Sequence, residues 1–257
     1  MVRQLDRKKR QDQILDLIIE AYVQDGKPVS SEGLKERCSL SFSSATLRNI
    51  MSELEGLGYL SHVHTSSGRV PTQEGFRYYI NFLMNRAPQD GSQDLTAFID
   101  RSSNYIRQLD DLLEEASRAI ANSTHYAAFS LLNDQRGRLF FWGTHFMLQE
   151  PEFEDIETLR SIFTTFEDRI SLFKDFLENN LTQEVKVFIG DEIGLEQIRN
   201  CSLVLSRLGP SLDTKAFLGV VGPIRMDYSL AISSLQTLRS MYSIRSMPFP
   251  MKACSPR

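Results

Sequence analysis

The chain has 257 residues, of which 41% are hydrophobic and 24% are charged. This composition is typical of a folded globular protein and excludes a disordered chain, and the length allows two domains. No apolar stretch approaches the roughly 20 residues that span a bilayer, and the first residues lack the apolar core of a signal peptide, so we expect a cytoplasmic protein without a membrane span.

The formal net charge of -4 is unevenly distributed. Residues 1–86 carry 12 Lys and Arg against 10 Asp and Glu, whereas the remaining residues carry 17 against 23. Phosphate binding requires only a few well-placed cations, and the basic run from Arg7 to Arg10 is either such a site or a solvated first helical turn. The three cysteines, Cys38, Cys201 and Cys254, fit neither a disulfide framework nor a metal-binding spacing, so we expect reduced thiols.

Three helices are predicted at the start of the chain. An apolar face at helical spacing predicts the first in residues 10–26. Ser30 and Ser31 can cap a short second helix, and Ser43 caps a third helix, which Gly58 ends. The buried stripe of this third helix is predicted to consist of Leu47, Ile50, Met51, Leu54 and Leu57. The arrangement is typical of a helix-turn-helix core.

A two-stranded wing is predicted directly after the third helix. Residues 59–65 alternate as a strand, residues 66–68 supply the turn, and residues 69–71 return as a second strand that Pro71 limits to an edge. Thr72 caps a fourth helix, which we expect to pack on the winged domain.

The third helix is predicted to read DNA bases with the face opposite its buried stripe. At about 100° per residue, that face consists of Ala45, Arg48, Asn49 and Ser52. Asparagine is suited to adenine, arginine to guanine and the alanine methyl group to thymine. Near the helix N-terminus, phosphate can be bound by Ser43, Ser44 and Thr46. The alternative is an exposed helix face without a ligand.

The wing adds further candidate contacts. His62 and His64 form an H-x-H pattern, which we interpret as a strand face near phosphates rather than a metal site, since no Cys, Asp or Glu accompanies it at ligand spacing. Arg69 can enter a minor groove or hold a phosphate, or it can remain a solvated hairpin residue.

The second part of the chain is predicted to mix helices with strands. Residues 87–93 have the composition of a linker, and residues 94–121 have the apolar spacing of an amphipathic helix or helix pair that could pack against a partner copy. Helices are predicted in residues 153–180 and 229–243. The predicted strands are residues 126–132, 138–143, 185–189, 201–207 and 216–222.

The fold class is therefore α+β, and we divide the chain into four segments. They are a winged-helix DNA-binding domain in residues 1–86, a linker and amphipathic helix in residues 87–122, a sensor or dimerisation domain in residues 123–246 and a disordered tail in residues 247–257.

Several motifs resemble the HrcA family of bacterial heat-inducible transcription repressors. The turn PVSS, the helix start SSATLRN, the helix end LEGLGYL and the wing HTSSGRVPT follow one another in the order found in that family. The segment GTHFMLQEPEF and the later CSLV and GPIRMDY motifs are similar to its C-terminal signatures. Helix geometry and this resemblance together give a predicted DNA-binding set of Ser43, Ser44, Ala45, Thr46, Arg48, Asn49, Ser52, His64, Thr65, Ser67 and Arg69.

The resemblance implies a homodimeric repressor that binds double-stranded DNA at CIRCE, an inverted-repeat operator upstream of chaperone operons. It also implies that the chaperonin GroEL keeps the repressor active until heat shock diverts the chaperonin. The second half should resemble a GAF-like domain, which family members interrupt with an inserted dimerisation domain. Here only a short connection separates residues 123–132 from residues 143–153, so we expect a shortened GAF-like domain that lacks most of the insertion.

An enzyme is the alternative of a different class. The acidic run in residues 150–155 lies at a helix start, where carboxylates stabilise the helix dipole, and no nucleophile triad, phosphate loop or paired-carboxylate motif is present. Within GPIRMDY we expect structural roles, with Asp227 capping the last helix and Arg225 paired with a carboxylate. We therefore expect no catalytic residue, cofactor or metal. A third interpretation keeps the winged helix and makes the GAF-like domain a small-molecule sensor.

Overall fold

The computed structural model describes residues 2–38, 42–63, 68–85, 109–132, 138–168, 170–180, 185–208 and 216–244. We call the described residues up to 85 the winged unit and those from 109 onward the sheet unit. Among the described residues, no helix combines the length and the apolar character that crossing a membrane requires.

The winged unit begins with three helices, α1 Val2–Asp25, α2 Ser31–Cys38 and α3 Ser44–Gly56. Helix α1 starts earlier than predicted, so the basic run from Arg7 to Arg10 lies within it. Of the two candidate caps of α2, Ser30 is the capping residue and Ser31 is the first residue of the helix, and the predicted cap Ser43 of α3 is confirmed. Ser30 Oγ accepts a hydrogen bond from the backbone N–H of Gly33 at 3.0 Å, and Ser43 Oγ accepts one from that of Thr46 at 3.1 Å.

Helix α3 buries its predicted stripe with one exception. The buried members are Leu47, Ile50, Met51 and Leu54. The prediction was wrong for Leu57, whose side chain is 57% exposed. Because α3 ends at Gly56 and the chain then turns through Gly58 with a φ of 82°, helical spacing no longer determines where Leu57 lies.

The wing consists of two short antiparallel strands, β1 Leu60–His62 and β2 Arg69–Pro71. Strand β2 also forms a bridge with Val29, whose backbone exchanges two hydrogen bonds with that of Arg69. The predicted contact residues His64, Thr65 and Ser67 lie outside the described residues.

Helix α4, Gln73–Met84, follows the wing and packs on α1 as expected. Its cap Thr72 accepts a hydrogen bond from the N–H of Gly75 at 3.0 Å and donates one to the carbonyl of Gly58 at 2.6 Å. A Cβ atom at Gly75 would lie 2.2 Å from the carbonyl oxygen of Tyr59, so glycine is required for this close approach. The wing is therefore fixed to the start of α4.

The sheet unit contains a five-stranded antiparallel sheet, and each of the five predicted strands is present. Their bounds are β3 Ala127–Leu132, β4 Arg138–Trp142, β5 Lys186–Ile189, β6 Cys201–Leu208 and β7 Ala216–Pro223. The strands lie in the order β4-β3-β7-β6-β5. Side chains alternate between the two faces, so that Phe129 and Leu203 belong to one core and Ala128 and Val204 to the other.

Helices cover both faces of this sheet. One face carries α5 Leu109–Thr124 and α9 Tyr228–Ile244, and the other carries α6 Thr144–Met147, α7 Ile156–Asp168 and α8 Ile170–Asn180. Short 3₁₀ segments lie at Pro151–Phe153, Gly190–Ile193 and Glu196–Ile198. This architecture confirms the predicted α+β class.

The described part of the predicted linking helix packs on its own chain. Leu113, Ala116 and Ile120 of α5 are buried in the core between this helix and the sheet. The apolar face that the sequence offered to a partner copy is therefore covered within the described part of α5. Residues 86–108 and the predicted tail in residues 247–257 lie outside the described residues.

The two units share one hydrophobic core. Buried residues of α1, α3 and α4 form a single cluster with those of α5, α9 and one sheet face. At the junction, Phe76 of α4 packs on Tyr228 of α9 with the ring centroids 5.8 Å apart. The winged unit is thus packed directly onto the sheet unit.

Candidate nucleic-acid interface

The outer face of α3 carries the four residues predicted from helix geometry. Ala45, Arg48, Asn49 and Ser52 are all exposed. The apolar stripe is buried on the other side of the same helix. This division confirms the angular argument and leaves short polar groups and one guanidinium facing solvent, which suits contact with base edges.

A pair of hydroxyl groups lies at the N-terminus of α3. Ser43 Oγ lies 2.9 Å from Thr46 Oγ1 and caps the backbone N–H of the same threonine. Ser43 and Thr46 are exposed, and Ser44 is half-buried. Because the first N–H groups of a helix lack intrahelical acceptors and create a positive potential, this end of α3 can bind phosphate.

A carboxylate holds the arginine of the recognition face. Arg48 Nη2 lies 2.8 Å from Glu32 Oε1, with the two side chains 66% and 53% exposed. Hydrogen bonds from its own backbone N–H and from the Ser31 hydroxyl, together with Arg48, hold the pKa of Glu32 below its ordinary value. The pair is ionised and screened by solvent, so Arg48 can leave Glu32 for DNA at little cost.

A second arginine pair joins α1 to α3. Arg7 Nη2 lies 2.7 Å from Glu53 Oε1, and Gln11 donates to the same carboxylate at 2.8 Å. Arg7 and Gln11 hold the pKa of Glu53 below its ordinary value. The first member of the basic run therefore has a structural contact, whereas Lys8 and Lys9 are exposed in the next positions of α1.

Arg69 is bound within the winged unit. Its Nε donates to Glu55 Oε2 at 2.7 Å, and its side chain is only 14% exposed. With the backbone bonds to Val29, this contact attaches β2 to the end of α3 and to the segment before α2. This geometry favours a structural role for Arg69, in which it supports the wing. It favours this role over the three that the sequence allows, which are entry into a minor groove, a phosphate contact and a solvated hairpin residue. Glu55 lies 14 residues away, and no local pattern indicates the pairing.

The H-x-H pattern falls only partly within the described residues. His62 is exposed at the end of β1, and His64 lies outside them. In the described part of the chain, no group of three or more His, Cys, Asp or Glu side chains has an arrangement that could hold a metal ion.

The GPIRMDY motif connects β7 to α9 and forms an ion cluster with the acidic run. Asp227 Oδ1 accepts from the N–H of Leu230 at 2.9 Å, which confirms the predicted cap. Arg225 lies 2.6 Å from carboxylate oxygens of both Glu150 and Glu152, which confirms the predicted pairing. Burial raises the pKa of Glu150 above its ordinary value, against the opposing effect of Arg225. The GPIRMDY motif and the acidic run thus have structural roles, as a helix cap and as an ion cluster.

A cleft of about 420 Å³ lies between the winged unit and the sheet unit. The side chains that line it include Tyr22, Gln73 and Phe76 from the winged unit and Glu152, Asn200 and Arg225 from the sheet unit. A molecule bound in this cleft would contact both units at once.

Comparison with known proteins gives a consistent set of relatives. The family model described as "HrcA protein C terminal domain" matches residues 79–232. The heat-inducible transcription repressor HrcA of Symbiobacterium thermophilum is 28% identical, over 91% of this chain and 97% of the relative. The repressor of the same name from Bacillus pumilus is 26% identical, over 88% and 94%. The first alignment extends over 335 residues, more than the 257 of this chain, so that relative contains segments without a counterpart here.

A solved structure has the same fold. The crystal structure described as "a hypothetical protein at 2.2 A resolution" matches with a TM-score of 0.73 and 18% identity, over 91% of this chain and 97% of that chain. At this identity the likeness concerns the fold alone, and it extends over both units.

Proposed function

Because the chain belongs to the HrcA family, we propose that it is a transcription repressor of heat-shock genes rather than an enzyme. In this proposal it binds double-stranded DNA through α3 and the wing, as a homodimer, at an inverted-repeat operator of the CIRCE type. The relatives named above are heat-inducible transcription repressors. A dimer is proposed because operators with two-fold symmetry match proteins with two-fold symmetry.

The observation that carries the proposal is the division of α3 into a buried apolar face and an exposed polar face beside a wing. We assign base reading to Ala45, Arg48, Asn49 and Ser52. We assign phosphate contacts to Ser43, Ser44 and Thr46, and wing contacts with DNA to His64, Thr65 and Ser67. The role of Arg69 in this proposal is to support the wing, since its guanidinium is paired with Glu55.

The direct experiment compares binding to a CIRCE-type inverted repeat with binding to a scrambled duplex of the same length. Titrations at several salt concentrations separate the phosphate contribution, which falls with salt on both duplexes, from base reading. We expect the operator to bind at least about 1,000-fold more tightly, as specific complexes do. Equal affinity for the two duplexes would contradict the proposal.

We also propose that the chaperonin GroEL raises the fraction of this protein that is competent to bind DNA. The experiment incubates the protein with purified GroEL after mild heating and measures the amount of active repressor by titration with operator. A larger active fraction with GroEL than with an equal mass of albumin is expected. No difference between the two additions would argue that heat acts on the repressor without the chaperonin.

A second candidate is control by a small molecule, and the cleft between the two units favours it. A ligand there would touch α4 and the GPIRMDY arginine together, so its binding could change how the winged unit is held. Native mass spectrometry of the full chain would detect a copurifying ligand. A bound species whose removal changes operator affinity would support this candidate, whereas operator affinity that depends only on GroEL would exclude it.

A further inference from the structure

Two separate polar contacts attach the winged unit to the sheet unit. The first lies at the edge strand β5. Arg77 of α4 donates to Glu192 Oε1 at 2.8 Å and to the carbonyl of Val187 at 2.9 Å. One helical turn earlier, Gln73 donates to the carbonyl of Ile189 at 2.8 Å. Because main-chain carbonyls of β5 accept from both side chains, this contact fixes α4 to the backbone of the sheet.

The second contact comes from the segment between β7 and α9. Arg225 of the GPIRMDY motif reaches the carbonyl of Val23 in α1 at 3.4 Å. Its guanidinium is held in place by Glu150 and Glu152, and its side chain is only 15% exposed. The motif therefore contacts the winged unit through α1, whereas Arg77 makes its contact through α4.

A buried aromatic pair also joins the two units. Phe76 is 1% exposed and packs on Tyr228, which is also 1% exposed. The Tyr228 hydroxyl donates to the carbonyl of Ile224 at 2.6 Å and lies 2.7 Å from Ser202 Oγ, so the ring cannot turn freely. The two polar contacts and this ring pair together attach the winged unit to the sheet unit through α1 and through α4.

We propose that Arg77 and Arg225 are positioning residues, which fix the orientation of α3 relative to the sheet unit and thereby set the operator spacing that two copies can read. The inference rests on the proposed function, in which two copies bind one inverted repeat. It further takes residues 123–246, the predicted sensor or dimerisation domain, as the part through which the two copies contact each other. The wing and α3 follow the orientation of α4, because Thr72 and Gly75 bind the start of this helix to the loop between α3 and β1.

Operator spacing gives a sensitive measure of this orientation. Each base pair added between two half-sites moves one of them by about 3.4 Å and rotates it by about 35°. A dimer with firmly held winged units can bind both half-sites only at one spacing. A dimer with loosely held winged units accepts several spacings, at the cost of a lower effective concentration of the second unit.

The experiment measures binding of the full-length chain to a series of duplexes. The two half-sites of the inverted repeat are separated by spacers that differ by one base pair, and a further duplex carries a single half-site. The variants are Arg77→Met, Arg225→Met and their combination, with Arg77→Lys as a conservative variant that keeps the charge and loses the planar fork. Arg160→Met is the matched control, since Arg160 pairs with Glu157 on the exposed side of α7 at 3.6 Å.

We expect a sharp optimum in spacing for the wild type and for Arg160→Met. The double variant should bind the optimal duplex at least about ten-fold more weakly, accept neighbouring spacings almost equally and bind the single half-site with unchanged affinity. Arg77→Lys should give an intermediate profile while its circular dichroism spectrum matches that of the wild type.

Two results would overturn the inference while leaving the proposed function intact. One is a double variant with the wild-type spacing profile. The other is an equal loss of affinity on the half-site and on the optimal duplex, since this would mean that the arginines only stabilise the fold. A wild-type protein that binds every duplex alike would overturn the proposed function, and the inference with it.

Discussion

Replacement of Arg225 by Met should destabilise the protein more strongly at neutral pH than at acidic pH. The guanidinium contacts two carboxylates, and the exposed fractions are 15% for Arg225, 19% for Glu150 and 34% for Glu152. Removing one partner of a fully buried ion pair costs about 3–5 kcal/mol. Solvent screening of Glu152 reduces this cost, so we expect a loss of about 2 kcal/mol in the free energy of unfolding near neutral pH.

The pH dependence follows from the protonation of Glu150. Burial raises its pKa in the folded protein, so its contribution to stability is complete below the unfolded-state pKa and is lost as pH rises through the folded-state pKa. In the wild type Arg225 opposes that rise in pKa. In the Arg225→Met variant this opposition is removed, so the pKa of Glu150 in the folded protein rises further. The free energy of unfolding of the variant therefore continues to fall up to a higher pH. The difference between variant and wild type should therefore narrow as pH falls from about 7.5 to about 5.

Urea unfolding at both pH values, followed by circular dichroism, measures this difference. Arg160→Met is the control, because the side chains of Arg160 and Glu157 are 73% and 76% exposed. An ion pair this exposed contributes no measurable stability, so its loss should not change the free energy of unfolding. A loss for Arg225→Met that stays constant or grows toward acidic pH would refute the reasoning. So would a pH-dependent loss of the same size in the control.

Three further predictions concern the winged unit. Asn49→Ala should weaken operator binding by about 1–3 kcal/mol and leave binding to a scrambled duplex nearly unchanged in fluorescence anisotropy; a uniform loss would instead indicate a phosphate contact. Glu32→Gln should increase affinity for the scrambled duplex at low salt, since it removes a negative charge beside Arg48; an equal gain in an Arg48→Ala background would show that the pairing is irrelevant. Gly75→Ala should lower the free energy of unfolding by at least about 1–3 kcal/mol, since its Cβ would lie 2.2 Å from a carbonyl oxygen of the wing. Gly56→Ala, where the added Cβ would meet nothing within 4 Å, should cause no loss, and similar melting of the two variants would contradict the clash.

Local patterns predict the parts of this fold that depend on neighbouring residues. The Ser43 cap and the two faces of α3 follow from side chains within one or two helical turns, and the five strands of the sheet follow from apolar runs between turn residues. The same reasoning fails one residue beyond the helix, at Leu57, where the chain has left the helical spacing.

The partners in contacts between distant segments could not be identified in this way. Arg77 and Glu192 are 115 residues apart, and nothing near either residue indicates the other. The pairing of Arg69 with Glu55 depends on the wing folding back over α3, so its local sequence was equally compatible with a DNA contact. The sequence therefore identified Arg48 and Arg69 but not the glutamates that pair with them.

These carboxylates connect the charge of the winged unit to the way it must recognise DNA. Arg7, Arg48 and Arg69 each lie beside a glutamate, so phosphate attraction by this unit is weaker than its arginines alone would suggest. With a weak nonspecific contribution, tight binding in the proposed function has to come from matched base contacts and from simultaneous use of two half-sites. Simultaneous use requires that both copies of α3 be held at a defined angle. Because the DNA-facing surface has little excess positive charge, tight binding depends on the contacts that attach α4 and α1 firmly to the sheet unit.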